Sequence, residues 1–304
     1  MLTRSVIATL SVILFLVGLP VGGTLSAGEA GKAQTGLSLS PSERAWLAAH
    51  PILRLGDDFV WPPFAFMDAK GIYSGISSGY IASISKLLGI EIRPVPGLTW
   101  TQVMAKVKTG EIDVLPAVVR SREREAFLNF TAPYITFPIV IATHREGVTA
   151  EDLSDLAGRN VGIVKGYITN ELLEKDFPAI KLVTFDSLAA GLEALESRKL
   201  DAVADNLGAI TYEVRRLHLA HVKIASVTKY KFELSMAVRK DWPELAAILD
   251  KGLEAMTSQE KAAIENTWLA VEVHFGVDLR TILLWGLTLG TAAAIVIVVF
   301  VVWN

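Results

Sequence analysis

Between residues 41 and 272 the apolar positions switch repeatedly between two periods. Ser40-Pro-Ser-Glu43 opens a short helix, with a capping serine, a proline at the first position and a glutamate three residues on. Ile52 to Gly56 (ILRLG) then alternates as a strand. Ile76, Tyr80, Ile84 and Leu87 share one helical face between Gly75 and Leu88, and Gly89 ends that helix. Ile90 to Val95 reads as a strand. Thr99-Trp-Thr-Gln102 is a second capping box, opening a helix that Gly110 closes. Ile112 to Val119 and Phe137 to Thr143 follow as strands. The alternation then restarts, with strands at 160–164, 180–184, 201–204 and 232–239. Helices at 168–176, 186–198 and 206–217 separate them, and two more, 243–256 and 258–273, close the series. Alternating strands and helices predict an open α/β sheet. Two successive units of similar size predict two lobes with a cleft between them. Ligands in open α/β sheets bind beyond the carboxyl ends of the strands, and the loops after Gly56 and Val164 leave at that end.

One stretch breaks both periods. FVWPPFAFMD, Phe59 to Asp68, follows Asp57 and Asp58 and sets Phe59, Trp61, Phe64 and Phe66 around Pro62-Pro63. The prolines exclude helix and weaken any strand. Aromatic rings on such a loop either cover a core or wall a pocket, and residue type alone leaves both open.

The ends of the chain differ from its middle. Leu10 to Leu19 is apolar, follows Arg4 and precedes the small-residue run Thr24 to Ala27, so residues 1–27 read as a signal peptide or an N-terminal anchor. A polar, Gly-rich linker occupies 28–40. Ile282 to Trp303 carries no charge over 22 residues. As a helix it would be roughly 33 Å long, enough for a hydrocarbon core of about 30 Å. It predicts one C-terminal transmembrane helix, reached through a juxtamembrane exit at 273–281. Gly286 and Gly290 within it form a GxxxG pattern, which is either a homodimer seam or the ordinary small-residue content of membrane helices. The sequence stops one residue past this segment, which suits the front end of something longer or a plain anchor.

Composition narrows the chemistry. Of 304 residues, 51% are hydrophobic and 20% charged, which is globular. The net charge of −3 supplies no field for nucleic acid. The absence of cysteine excludes disulfides, a thiolate nucleophile and a Cys-type zinc site. No histidine set predicts a metal site, and no cofactor motif appears.

With these elements in place, the middle of the chain resembles the bacterial extracellular solute-binding family 3, most closely the form that serves as the periplasmic sensing domain of membrane sensor kinases. The shared marks are WPPFAFMDAKGIYSG (61–75), TGEIDVLPAVVRSRERE (109–125), FTAPY (130–134), DLAGRNVGIVKGY (155–167), LDAVADN (200–206) and LSMAVRKDWPEL (234–245). The resemblance implies a two-lobed periplasmic-binding-protein-like (type II, Venus-flytrap) α/β fold with a hinge, over 41–272. Lobe 1 would hold about 45–140 and 230–272, lobe 2 about 145–226, with crossing strands near Ile141–His144 and Val227–Tyr230.

The resemblance also implies a ligand set. Trp61 and Phe64 would line the cleft, beside Asp57. Arg124, in Ser121-Arg-Glu-Arg124, would clamp a ligand carboxylate, as a planar guanidinium can do through paired hydrogen bonds. Gly166 and Tyr167 would present backbone amides at a helix start. Asp205 and Asn206 end the LDAVADN run, where the amino-acid binders commonly place an aspartate at the position of Asn206. That departure, and Gly79 where sensor relatives often carry an acid, leave the ligand unnamed: a small polar molecule, amino-acid-like or a carboxylate. The expected role is that of a periplasmic binding domain on an inner-membrane sensor, passing lobe closure through the membrane helix. The alternatives are an anchored transporter component and a dehydratase-like enzyme. No pair of groups is spaced as an acid and a base, so a binding domain without catalytic residues is expected.

Overall fold

The computed structural model describes residues 37–269 and 299–303. Helix α1 (Pro41–Ala49) leads into strand β1 (Ile52–Leu55). A small sheet of β2 (Val60–Trp61), β3 (Ala65–Met67) and β4 (Tyr73–Ser74) follows. Then come α2 (Ile76–Leu88), β5 (Glu91–Pro94), α3 (Trp100–Lys108), β6 (Val114–Val119), α4 (Arg122–Glu125) and β7 (Leu128–Phe130). Strand β8 (Ile135–His144) enters the second lobe. That lobe is built of β9 (Asn160–Val164), α5 (Ile168–Asp176), β10 (Lys181–Phe185), α6 (Leu188–Glu196), β11 (Ala202–Asn206) and α7 (Leu207–Arg216). Strand β12 (Val222–Arg239) returns to the first lobe, where α8 (Pro243–Ala255) and α9 (Ser258–Leu269) pack.

Local chemistry accounts for the boundaries. Ser40 and Thr99 both close reciprocal capping boxes, with Glu43 and Gln102 as their third-position partners. Gly89 ends α2 in the left-handed region at φ 68°, where a Cβ would be strained.

The main sheet has nine strands, in the order β10-β9-β11-β8-β12-β6-β1-β5, with β7 on β12. Residues 139–143 of β8 pair with β11, while β12 runs along β8 on both sides of a break in register between Val227 and Lys231. The sheet passes from one lobe to the other at that break. Opposite β6, the β12 register shifts between Ser235 and Ala237. Pro116 lies within the matching part of β6, and a residue without an N–H cannot complete a ladder there. The hydrophobic pattern predicts β12 only from Phe232; its first half, Val222 to Lys231, is largely half-exposed and carries little apolar alternation.

Among the described residues no helix is long and apolar enough to cross a membrane. The expected signal segment, linker start and exit lie outside the described residues, as does the expected span except for 299–303.

Candidate functional site

The cleft wall on the first lobe is the loop leaving β1. The Asp58 amide donates to Asp57 Oδ1 at 2.9 Å, and the Tyr73 hydroxyl donates to Asp57 Oδ2 at 2.6 Å. A cis Pro62-Pro63 bond turns the chain from β2 into β3. This corner stacks Trp61 on Phe64 at 4.3 Å between ring centres, and Phe64 meets the edge of Phe137 at 5.0 Å.

The second lobe contributes one short run at the carboxyl end of β9. Gly166 has φ 76°, and Tyr167 is the first cap residue of α5. The Tyr167 hydroxyl donates to Asp58 Oδ2 at 2.5 Å, and its ring meets Trp61 edge-on at 5.7 Å. Trp100 Nε1 donates to the Gly166 carbonyl at 3.0 Å.

These groups enclose an inner cavity of about 20 Å³, lined by Asp58, Trp61, Trp100, Arg124, Tyr167 and Phe232 among others. An outer groove of about 360 Å³ adjoins it and includes Lys108, Glu123, Lys165, Glu171 and Glu174. Arg124 and Trp100 border both. Arg124 is only 3% exposed. Its Nη1 donates to the Val119 carbonyl and its Nη2 to the Gly166 carbonyl, each at 3.1 Å. Its Nε and Nη2 both reach Glu171 Oε1, at 2.9 and 2.7 Å.

The residues expected from sequence therefore separate. Trp61, Arg124 and Tyr167 line the inner cavity. Gly166 borders the outer groove and offers its carbonyl, not its amide, to Trp100 and Arg124. Phe64 stands behind Trp61 with no exposed surface, and Asp57 is tied to Tyr73, so neither lines the cavity. Asn206 is buried because it caps α7: its side-chain oxygen accepts from the Ala209 amide at 2.8 Å. Asp205 accepts from the Asn206 amide at 2.6 Å through Oδ1, while its buried Oδ2 has no hydrogen-bond partner among the described residues.

Several residues of the site escaped sequence reasoning, among them Trp100, Phe232, Asp58 and Glu171. Asp58, rather than its neighbour Asp57, faces the cavity, and in a doublet off a strand end nothing in the pattern separates the two. Glu171 was legible in principle, since it lies four residues after Tyr167 on the helix that Tyr167 caps, and such positions share a face.

Burial pushes the acids in and around the site toward their protonated form. Burial raises the Asp57 carboxyl to about 7, against the lowering effect of the Tyr73 hydroxyl and the Asp58 amide. Burial likewise raises Asp205 to about 7, with the Asp58 charge adding to it. Asp58 is raised by burial and lowered by the Tyr167 hydroxyl. Burial lowers the Arg124 value, and the Glu171 carboxylate opposes that.

The absence of an acid at position 79 has a packing reason. A Cβ on Gly79 would lie 2.6 Å from Ile264 Cγ2, so glycine lets α9 settle on α2. The contact is reinforced by the Tyr80 hydroxyl donating to Glu265 at 2.7 Å and by Trp268 edge-on to Phe66 at 5.3 Å.

Comparison with known proteins bears on the fold. The chain is 27% identical over 230 residues to the virulence sensor protein BvgS of Bordetella pertussis, covering 75% of this chain but 19% of that protein. It thus spans about a fifth of the sensor it matches. The crystal structure of the BvgS periplasmic VFT2 domain superposes with a TM-score of 0.70 at 27% identity, covering 76% of this chain and 99% of that one. An ancestral arginine-binding protein bound to arginine gives a TM-score of 0.67 at 27% identity, covering 72% of this chain and 98% of that one. The model of the bacterial extracellular solute-binding proteins, family 3, matches residues 53–271. The chain belongs to that family.

Proposed function

We propose that this chain is the periplasmic input of an inner-membrane sensor, closing its two lobes on a small polar ligand of the amino-acid or carboxylate class. The observation that carries the reading is the meeting of both lobes around one cavity. Asp58, Trp61 and Arg124 come from the first lobe, and Tyr167 from the second. Opening the cleft would expose an aromatic wall, a guanidinium and a carboxylate, which is the equipment for a zwitterion.

Sensing is favoured over anchored transport by where α9 sits. It packs on α2 and touches Phe66, which follows the cleft loop directly and also lies 6.5 Å from Tyr212 of the second lobe. A shift of the second lobe is then felt at the helix that leads toward the expected span at 282–303. In this reading that span carries the movement to a cytoplasmic output, limited by the ligand's differential affinity for open and closed forms.

A thermal-shift screen of the detergent-solubilised chain against amino acids and small carboxylates tests this. A ligand at 100 times its Kd adds about 2.7 kcal/mol. A compound should raise the melting temperature of the wild type and leave Arg124→Ala and Trp61→Ala unmoved. A full panel without any shift would sink the reading.

A further inference from the structure

Arg124 has its hydrogen-bonding capacity largely committed to protein groups. Nε donates to Glu171 Oε1, Nη2 lies in ion-pair contact with the same oxygen and donates to the Gly166 carbonyl, and Nη1 donates to the Val119 carbonyl. Arg124 belongs to α4 of the first lobe and Glu171 to the first turn of α5 on the second. The pair therefore bridges the cleft. Behind it, about 20 Å³ of space remains, roughly what one water needs. In front of it, the groove of about 360 Å³ gives a displaced glutamate somewhere to go.

We infer that Glu171 is an internal stand-in for a ligand carboxylate: it occupies Arg124, closes the lobes, and must be displaced by any carboxylate that binds. This rests on the cleft reading above and deepens it, making Glu171 a specificity-determining residue. The interaction is of the kind a carboxylate ligand would make, a guanidinium holding an oxyanion through a charge-assisted N–H···O bond backed by an ion-pair contact. It differs from an ordinary surface pair because the arginine is buried and its partner is on the other lobe. Competition of this kind lowers apparent affinity by the fraction of molecules in which the seat is free. Removing the side chain should therefore tighten binding of a carboxylate on the order of tenfold or more.

The chain has no cysteine, so two introduced cysteines take two spin labels and no others. Ala105→Cys on α3 and Lys175→Cys on α5 are exposed positions on opposite lobes. In the solubilised full chain, pulsed dipolar spectroscopy should give one short distance, unmoved by millimolar acetate or L-glutamine. Glu171→Ala should add a longer population, and acetate or L-glutamine, but not chloride at equal ionic strength, should restore the short one. Glu171→Gln should open similarly and covers the case in which the alanine variant fails to fold. A pair confined to the first lobe, Lys86→Cys with Ala105→Cys, should keep its distance throughout.

Closure that survives both substitutions overturns the inference, and so does an opening that no carboxylate reverses. Tyr167→Phe separates this failure from that of the cleft reading. If it opens the lobes while Glu171→Ala does not, the stand-in role alone is lost. If no variant, single or combined, moves the distance, the lobes do not move and the sensory reading falls with it.

Discussion

The inner cavity and the outer groove lie side by side and are built on opposite principles. The inner one is small and walled by Trp61, Trp100, Phe232 and Tyr167, with Asp58 held by a hydrogen bond across the lobes. The outer one is open and carries lysines and glutamates that solvent can reach. Arg124 and Trp100 border both, and Glu171 meets Arg124 from the outer side. In the inner region each polar atom is expensive to leave unpaired, so contacts there decide how the lobes sit. In the outer region charges are screened and cost little to rearrange.

Substitutions should grade accordingly. Trp61→Ala removes the ring lying between Phe64 and Tyr167 and should cost about 3–5 kcal/mol, read from urea unfolding. Arg124→Ala should cost roughly 2–4 kcal/mol, because the Val119 carbonyl loses a donor, the Gly166 carbonyl loses one of two and Glu171 loses its cation. Arg124→Lys, which cannot reproduce the fork, should recover only part of that. Tyr167→Phe leaves Asp58 Oδ2 without its hydroxyl and should cost about 2 kcal/mol, with a further rise in the Asp58 pKa visible by carboxyl NMR.

The buried acids give a pH signature. Asp57 and Asp205 sit at about 7 in the fold against 3.8 when solvated. A carboxyl whose folded value is raised stabilises fully below its unfolded pKa, and that contribution is lost as pH climbs through the folded one. Stability should therefore fall between about pH 4 and pH 7, at up to about 1.4 kcal/mol per unit for each group. Asp205→Asn should flatten its share of that slope in thermal scans. The smallest effect belongs to the outer groove: Glu174→Gln, on an exposed side chain bonded only to Asn170 among the contacts described, should stay within about 0.5 kcal/mol. A larger loss there would mean that the groove is not the permissive region its exposure suggests.

Sequence by itself determined the order of the main strands and helices, though not the short elements β2, β3, β4, α4 and β7, because period, capping residues and glycine stops are local properties. Ser40, Thr99 and Gly89 act at the positions their neighbours dictate. It also pointed to the loops that line the candidate cleft, since loops at strand carboxyl ends are set by topology. What only the tertiary structure decided is which side chain of those loops faces which partner. Asp57 and Asp58 are equivalent in sequence, yet Tyr73 takes one and Tyr167 the other. Asn206 is a plausible ligand contact by position and a helix cap in fact. Glu171 is an ordinary helix-surface acid until the second lobe brings it onto Arg124, 47 residues away in the chain. Such pairings depend on how two lobes close on one another, and no local pattern encodes the distance between residues on different lobes.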